Sequence, residues 1–331
     1  MSASVSFRSP LRLGVVALVA LLAACGSNHS SGQAGGNATA ESKPAAAPTG
    51  NASAEEVAAE QRGGVDCPAD KLPAPAGTPV DDVLGVRPGL TYEQAARIVL
   101  CSNPLLVITD EADRGFNFPT YGQKLRQAFT ARFAEPRVQK TSRQIIQEME
   151  REATARGLNE VRHDMKPGQA KWFVSTMGMP GQEKVIAAAR EEWFAEGHNP
   201  TVDSVQQALV NKYGPVSKKD GTDSFRRLVW IFDPRGRPVT ETSPLYNQCG
   251  GIADPNSPVN LSPDCGVVVE AHIDGLRDNL ALAQRMQVGV VDQAGGYAAV
   301  NATEQGLAAM DAQRRAKQVQ DAGKNAQAPS L

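Results

Sequence analysis

The sequence predicts an α+β protein: two related modules of short helices packed on antiparallel sheet, disulfide-bonded, with a disordered N-terminal tether and a C-terminal helix. Three observations predict it. A capped amphipathic helix occurs twice, after Thr91 and after Thr201, with apolar positions coinciding four, seven and eight residues beyond each threonine. Alternating or valine-rich runs follow, bounded by turn residues. Four cysteines, Cys67, Cys101, Cys249 and Cys265, lie inside the folded span.

Arg8 and Arg12 flank an apolar run from Leu13 to Leu22, which is short for a bilayer-spanning helix. With Leu22-Ala23-Ala24-Cys25 behind it, residues 1–24 have the form of a cleaved export signal. The cysteine after small residues resembles the bacterial lipobox, which implies a diacylglyceryl group on Cys25 and a membrane partner reached through that anchor. Residues 25–66 are Gly, Ala, Ser, Asn, Pro and Glu with few large apolar side chains, too little to offset ordering entropy. They are expected to form a flexible tether with an end-to-end distance of roughly 35 Å. His29 falls within it.

The first module is placed at 67–165. Thr91 and Gln94 form a capping box and Glu93 suits the helix dipole, while Ala95, Ile98 and Val99 make the buried stripe and Pro104 ends the helix. Leu105 to Ile108 reads as a strand. Thr141 to Arg156 reads as a helix, with Ile145, Ile146 and Met149 on one side and Gly157 as its stop. The second module is placed at 166–300. Lys184 to Phe194 admits both helix, by alanine content, and strand, by alternation. Val205, Ala208 and Leu209 follow Thr201 in a helix ending at Tyr213-Gly214-Pro215. Phe225 to Phe232 is an inner strand, apolar on both faces, closed by the turn Asp233-Pro234-Arg235-Gly236. Gly266 to Asp274 and Met286 to Asp292 read as further strands. In the last segment, 301–331, Thr303 to Ala322 is a helix ended by Gly323.

Removing the signal takes Arg8 and Arg12 from 34 basic residues, leaving 32 against 36 acidic ones. A slightly acidic chain with scattered basic residues is expected to bind no nucleic acid. Export to an oxidising compartment favours disulfides, and proximity pairs Cys67 with Cys101 and Cys249 with Cys265. No cofactor is implied.

The usual catalytic signatures, G-x-S-x-G, H-E-x-x-H and the phosphate-binding glycine loops, are missing. The remaining chemical candidate is Glu270-Ala271-His272-Ile273-Asp274: in a strand, Glu270, His272 and Asp274 project from one face, and two carboxylates with an imidazole can hold a metal. The competing reading gives the core face to Val267, Val269, Ala271 and Ile273 and leaves the polar residues to water. His163 and His198 lie in turn-like surroundings. Trp172, Trp193, Trp230 and Tyr213 suit either a groove or the core, and core packing is expected of each.

At Gly85-Val86-Arg87-Pro88-Gly89-Leu90-Thr91-Tyr92-Glu93-Gln94-Ala95 the chain resembles the "G-x-x-x-G-M-T-x-x-E-V" opening of the SmpA/OmlA (BamE-like) lipoproteins. Leu90 stands for the usual methionine and Gln94 for a common acidic residue, and the second copy at Asn199 to Leu209 lacks both glycines. The resemblance implies a small helix-plus-antiparallel-sheet domain at the bacterial outer membrane and carries over no catalytic residue. Tandem domains of this shape also resemble the β-lactamase-inhibitor-type fold, whose surfaces bind proteins. The expected function is therefore protein contact in envelope assembly or maintenance, by a lipid-anchored protein facing the periplasm. The alternatives are an envelope-acting hydrolase or metal-dependent enzyme centred on Glu270, His272 and Asp274, and small-ligand capture between the modules.

Overall fold

The computed structural model describes residues 50–67, 77–110, 115–157 and 165–325. Cys25, His29, His163 and the tail from 326 lie outside the described residues. Among those described, no helix is long and apolar enough to cross a membrane.

Helix α1 (Ala54–Arg62) stands inside the stretch expected as tether. Ser53 and Glu56 form a capping box, and Gly63 stops the helix at φ 57°. Ala58 is fully buried with Val107 and Ala134, so small side chains suffice to dock it. Arg62 Nη2 donates to the carbonyls of Leu100 (3.1 Å) and Asn103 (2.9 Å), satisfying orphan acceptors at the end of α2 (Tyr92–Ser102). A disulfide between Cys67 and Cys101 fastens the same junction, and the second joins Cys249 to Cys265.

After α2 come β1 (Leu106–Asp110), β2 (Ala128–Phe133), helix α3 (Ser142–Gly157), β3 (Ala170–Met177) and β4 (Lys184–Trp193). Helix α4 (Val202–Tyr213) then precedes β5 (Lys218–Thr222), β6 (Phe225–Ile231), the single turn α5 (Leu245–Gln248), β7 (Val267–Leu276) and β8 (Asn279–Asp292). The 33-residue α6 (Gln293–Asn325) ends the described chain. All eight strands join one antiparallel sheet in the order β1-β2-β3-β4-β8-β7-β6-β5. Lys184 to Trp193 is thus a strand, and α6 starts ten residues before the expected Thr303, placing the boundary expected at 300 inside a helix. The boundary expected at 165 falls between β2 and β3, which are hydrogen-bonded neighbours.

Helices α2 and α4 pack on one face of the sheet, where Tyr92, Ile98, Val99, Val205, Leu209 and Tyr213 meet Phe129, Trp172, Leu228 and Trp230. Each helix is held to a later strand through the residue before its N-cap. Val185 N–H donates to the Leu90 carbonyl and Ala283 N–H to that of Pro200, both at 2.8 Å. The G-x-x-x-G stretch supplies the first clip. Val83 and Val86 pair across Leu84 (φ 48°) and Gly85 (φ 95°), a two-residue turn with both positions left-handed. The opposite face is covered over its middle by the β6–β7 connection, whose Cys249, Ile252 and Cys265 pack on Ala187, Ala189, Val268 and Val291.

Candidate functional site

Beside that covered middle, the opposite face carries a half-buried ladder of polar side chains across five strands. Register sets its rows. One runs Glu191, Gln287, His272, Arg227, Asp220; the next runs Trp193, Arg285, Asp274, Phe225, Thr222. Side chains alternate between faces with period two, so Glu270, His272 and Asp274 do share one face, as their spacing predicts. Where they meet water, however, the expectation needs correcting: Glu270 is 6 % exposed.

Glu270 is buried because the β6–β7 connection crosses directly over its row. Its row neighbour is Gly289, where a Cβ would lie 2.0 Å from the Ile252 carbonyl oxygen; only glycine admits the crossing strand of chain so near. The connection is pinned there by the disulfide, by Gln293 Nε2 donating to the Gly250 carbonyl, and by Lys171 Nζ donating to Asn256 Oδ1 at 2.7 Å.

Four donors converge on the Glu270 carboxylate. Arg227 gives Nε (2.7 Å) and Nη2 (3.0 Å), Gly251 its N–H (3.0 Å) and His272 Nε2 (2.8 Å). Burial alone would raise the Glu270 pKa, but the bonds from His272 and Arg227 outweigh it and hold the carboxyl at about 2. Arg227 in turn binds Asp220 at 3.1 Å. The second cluster centres on Glu191, which is buried and accepts from Trp193 Nε1 (2.7 Å), Arg285 Nη1 (3.2 Å) and Gln287 Nε2 (3.2 Å). Arg285 Nε also pairs with Asp274. Burial disfavours the Arg285 charge, and Asp274 and Glu191 more than restore it.

This arrangement limits the chemistry open to the three candidates. Glu270 is ionised and saturated at neutral pH, so it cannot give or take a proton there. Asp274 is committed to Arg285. His272 lies edge-on to Phe225, ring centres 5.1 Å apart, and no hydroxyl or thiol is hydrogen-bonded to it among the described residues. Those residues also contain no grouping of three acidic, histidine or cysteine side chains placed to hold a metal. What the ladder offers is a half-buried surface whose charges are already paired and held in place, bordered by the aromatic rings of Trp193 and Phe225.

The other candidates are dispersed. Trp172 and Trp230 lie in the core, the latter donating Nε1 to the Gly214 carbonyl at 2.8 Å, and Tyr213 tilts against Trp230. His198 sits on an exposed turn. Among the described residues, clefts of ≈ 410, 580 and 350 Å³ open elsewhere: beside Phe133 and Met165, between Arg87 and Gly295, and along Met179 and Ala299. The partners Arg227, Glu191 and Arg285 carry no sequence signal, because the hydrogen-bonded pairs are 43 and 94 residues apart along the chain. No protein-family model, curated protein or solved structure matches the chain.

Proposed function

We propose that this protein is a lipoprotein of the bacterial outer membrane, acylated at Cys25 and facing the periplasm, that acts by protein contact in envelope assembly or maintenance. The observation that carries the contact reading is the half-buried polar ladder, where Trp193, Phe225, Arg227, His272, Asp274 and Arg285 reach the surface and are held from below by buried Glu270 and Glu191. A surface whose arginines are already fixed by carboxylates loses little side-chain entropy on binding, and its Trp, Arg and Phe content is that of interface anchors. The acylation reading rests on Leu22-Ala23-Ala24-Cys25, and the outer-membrane reading on the SmpA/OmlA-like motif at Gly85 to Ala95.

The two halves, α2-β1-β2-β3-β4 and α4-β5-β6-β7-β8, are proposed to be related modules, with their boundary at the β4–α4 connection in place of the 165 expected from sequence. Their strands pair in the same sequence of neighbours. The pairing slips at the same place in each, between Ser175 and Thr176 and between Asp274 and Gly275. Across the centre, Ala187 pairs with Val291 and Trp193 with Arg285 around the Arg190 and Val288 pair, as a two-fold axis there requires. The clips at Leu90 and Pro200 are also equivalent.

Photo-crosslinking in living cells tests the contact reading. A crosslinker at Phe225, on the ladder, should form a discrete adduct that one at Gln207, exposed on α4, does not. Equal labelling from both, or from neither, overturns it. The His272→Ala variant separates contact from turnover: a folded variant with unchanged phenotype removes the enzyme reading. Incorporation of a fatty-acid probe at Cys25 tests the anchor.

A further inference from the structure

We infer that α3 is a membrane-contact arm, laying an apolar stripe into the lipid surface to which the chain is anchored. The inference rests on the proposed acylation of Cys25. The stripe itself is a plain observation. Ile145, Ile146 and Met149 are 46, 55 and 64 % exposed and lie at helical spacing on one side of α3. Val138, just upstream, is 58 % exposed. From Ser142 to Arg151 every other side chain is exposed too, apart from the half-buried Glu148. A stretch of 16 helical residues that sets two isoleucines and a methionine in water has no stabilising use for them within the described fold.

The place where the leash enters says what covers them. The described chain begins at Gly50, and its first residues are fastened to the segment leading into α3. Ala52 and Arg137 exchange both backbone hydrogen bonds at 2.9 Å, and Asn51 Oδ1 accepts from the Gln139 N–H at 2.8 Å. Two residues beyond Gln139, Thr141 opens α3, its N–H bonded to Gln144 Oε1 at 2.8 Å. An acylated Cys25 would therefore pull on the fold at the root of α3, and a body leashed at one end presents that end to the surface. The chain from 26 to 49 can extend no further than about 85 Å, so the stripe never leaves the neighbourhood of the bilayer. Arg143 at the start of the helix suits lipid headgroups, Lys140 is paired with Glu148 at 2.5 Å, and Gln147 and Arg151 form the water side.

The test uses the full acylated chain in phosphatidylcholine–phosphatidylethanolamine vesicles carrying a nitroxide-labelled acyl chain. An environment-sensitive fluorophore is placed on Met149→Cys, with Arg151→Cys on the opposite side of the helix as control. Fatty-acid labelling of Cys25 is read on the same samples. Quenching about threefold or more stronger at position 149 than at 151 is expected for an interfacial helix, and Ile145→Asp with Ile146→Asp should abolish the difference. Equal, weak quenching overturns the arm. A blue-shifted but unquenched label also overturns it, since protein then covers the stripe. If Cys25 is labelled and quenching is absent, this inference alone fails; an unlabelled Cys25 removes both this and the anchor.

Discussion

Replacing Glu270 by glutamine isolates the energetics of the polar ladder. The carboxyl falls from an ordinary 4.5 to about 2 in the folded protein, which corresponds to about 3 kcal/mol favouring the ionised, folded form. Because Glu270 is 6 % exposed, solvent screening takes little from that figure. It also matches the cost of about 3–5 kcal/mol for removing one partner of a buried ion pair, here leaving Arg227 and the Gly251 N–H short of an acceptor. The sign follows from the depressed pKa: the contribution is whole above pH ~4.5 and is lost as pH falls through ~2. Glu270→Gln should therefore lower stability by about 3 kcal/mol at pH 7, and the variant and parent should converge towards pH 2. Urea unfolding followed by tryptophan fluorescence reads this. With a slope of about 2–3 kcal/mol per molar, the midpoint at pH 7 should fall by about 1–1.5 M. An unchanged midpoint at pH 7, or two pH profiles running parallel down to pH 2, would refute the network as a stabilising unit.

Other perturbations address the parts that build the site. Gly289→Ala drives a methyl into the Ile252 and Ala188 carbonyl oxygens, 2.0 and 2.9 Å from the new Cβ, and should cost about 3 kcal/mol; proteolysis should then cut the 234–265 connection faster than in the parent. Opening the Cys249–Cys265 bridge, which closes a separation of 16 residues, should cost about 3 kcal/mol by loop entropy and give the same proteolytic signature, measured on Cys249→Ser with Cys265→Ser. Thr91→Ala and Thr201→Ala each remove an N-cap bond, from Gln94 N and Ser204 N, and should cost about 1 kcal/mol apiece, adding in the double variant because the two helices are separate. Equal stability of parent and double variant by thermal unfolding would show that docking, not capping, holds these helices.

What could be read in the sequence was local. Thr91 with Gln94, the two apolar faces of Phe225 to Phe232, the alternation of Val267 to Asp274, and the nearest-neighbour cysteine pairings all express physics within about a turn, a strand or a loop. The failures came where tertiary contact decides. Ala187, Ala188 and Ala189 raise helix propensity, yet they occupy a central strand: Ala187 and Ala189 pack under the β6–β7 connection and Ala188 lies among the side chains facing the helices. Helix α1 was hidden because its composition is that of a tether; its signal was the Ser53 and Glu56 capping box, and its hold on the fold comes from Ala58 and distant Val107 and Ala134. For the site, the spacing of Glu270, His272 and Asp274 showed a shared face but not burial, because neither Gly289 beside them nor Ile252 above them is near in sequence.

The proposed duplication makes the ladder interpretable as a divergence between halves. In the first half the strands set Ala128, Ser175 and Ala187 in one row and Thr130, Phe173 and Ala189 in the next. The corresponding rows of the second half hold Phe225, Asp274 and Arg285, then Arg227, His272 and Gln287. Small and apolar side chains in the first half accept a covering layer, and several of them lie in the cluster that the β6–β7 connection closes. Charged side chains in the second half cannot be covered without costly desolvation unless each is paired. They are paired, to one another, and Phe225, Asp274, Arg285, Arg227 and His272 stay half-exposed. If the halves arose by duplication as proposed, a sheet serving only as core gains nothing from this difference, since self-paired charges contribute little more than apolar residues in their place. The second half instead retains arginines fixed by carboxylates and two aromatic borders on a half-exposed surface. Under the proposed contact function that combination has an energetic use, because the ordering cost of binding has already been met within the fold.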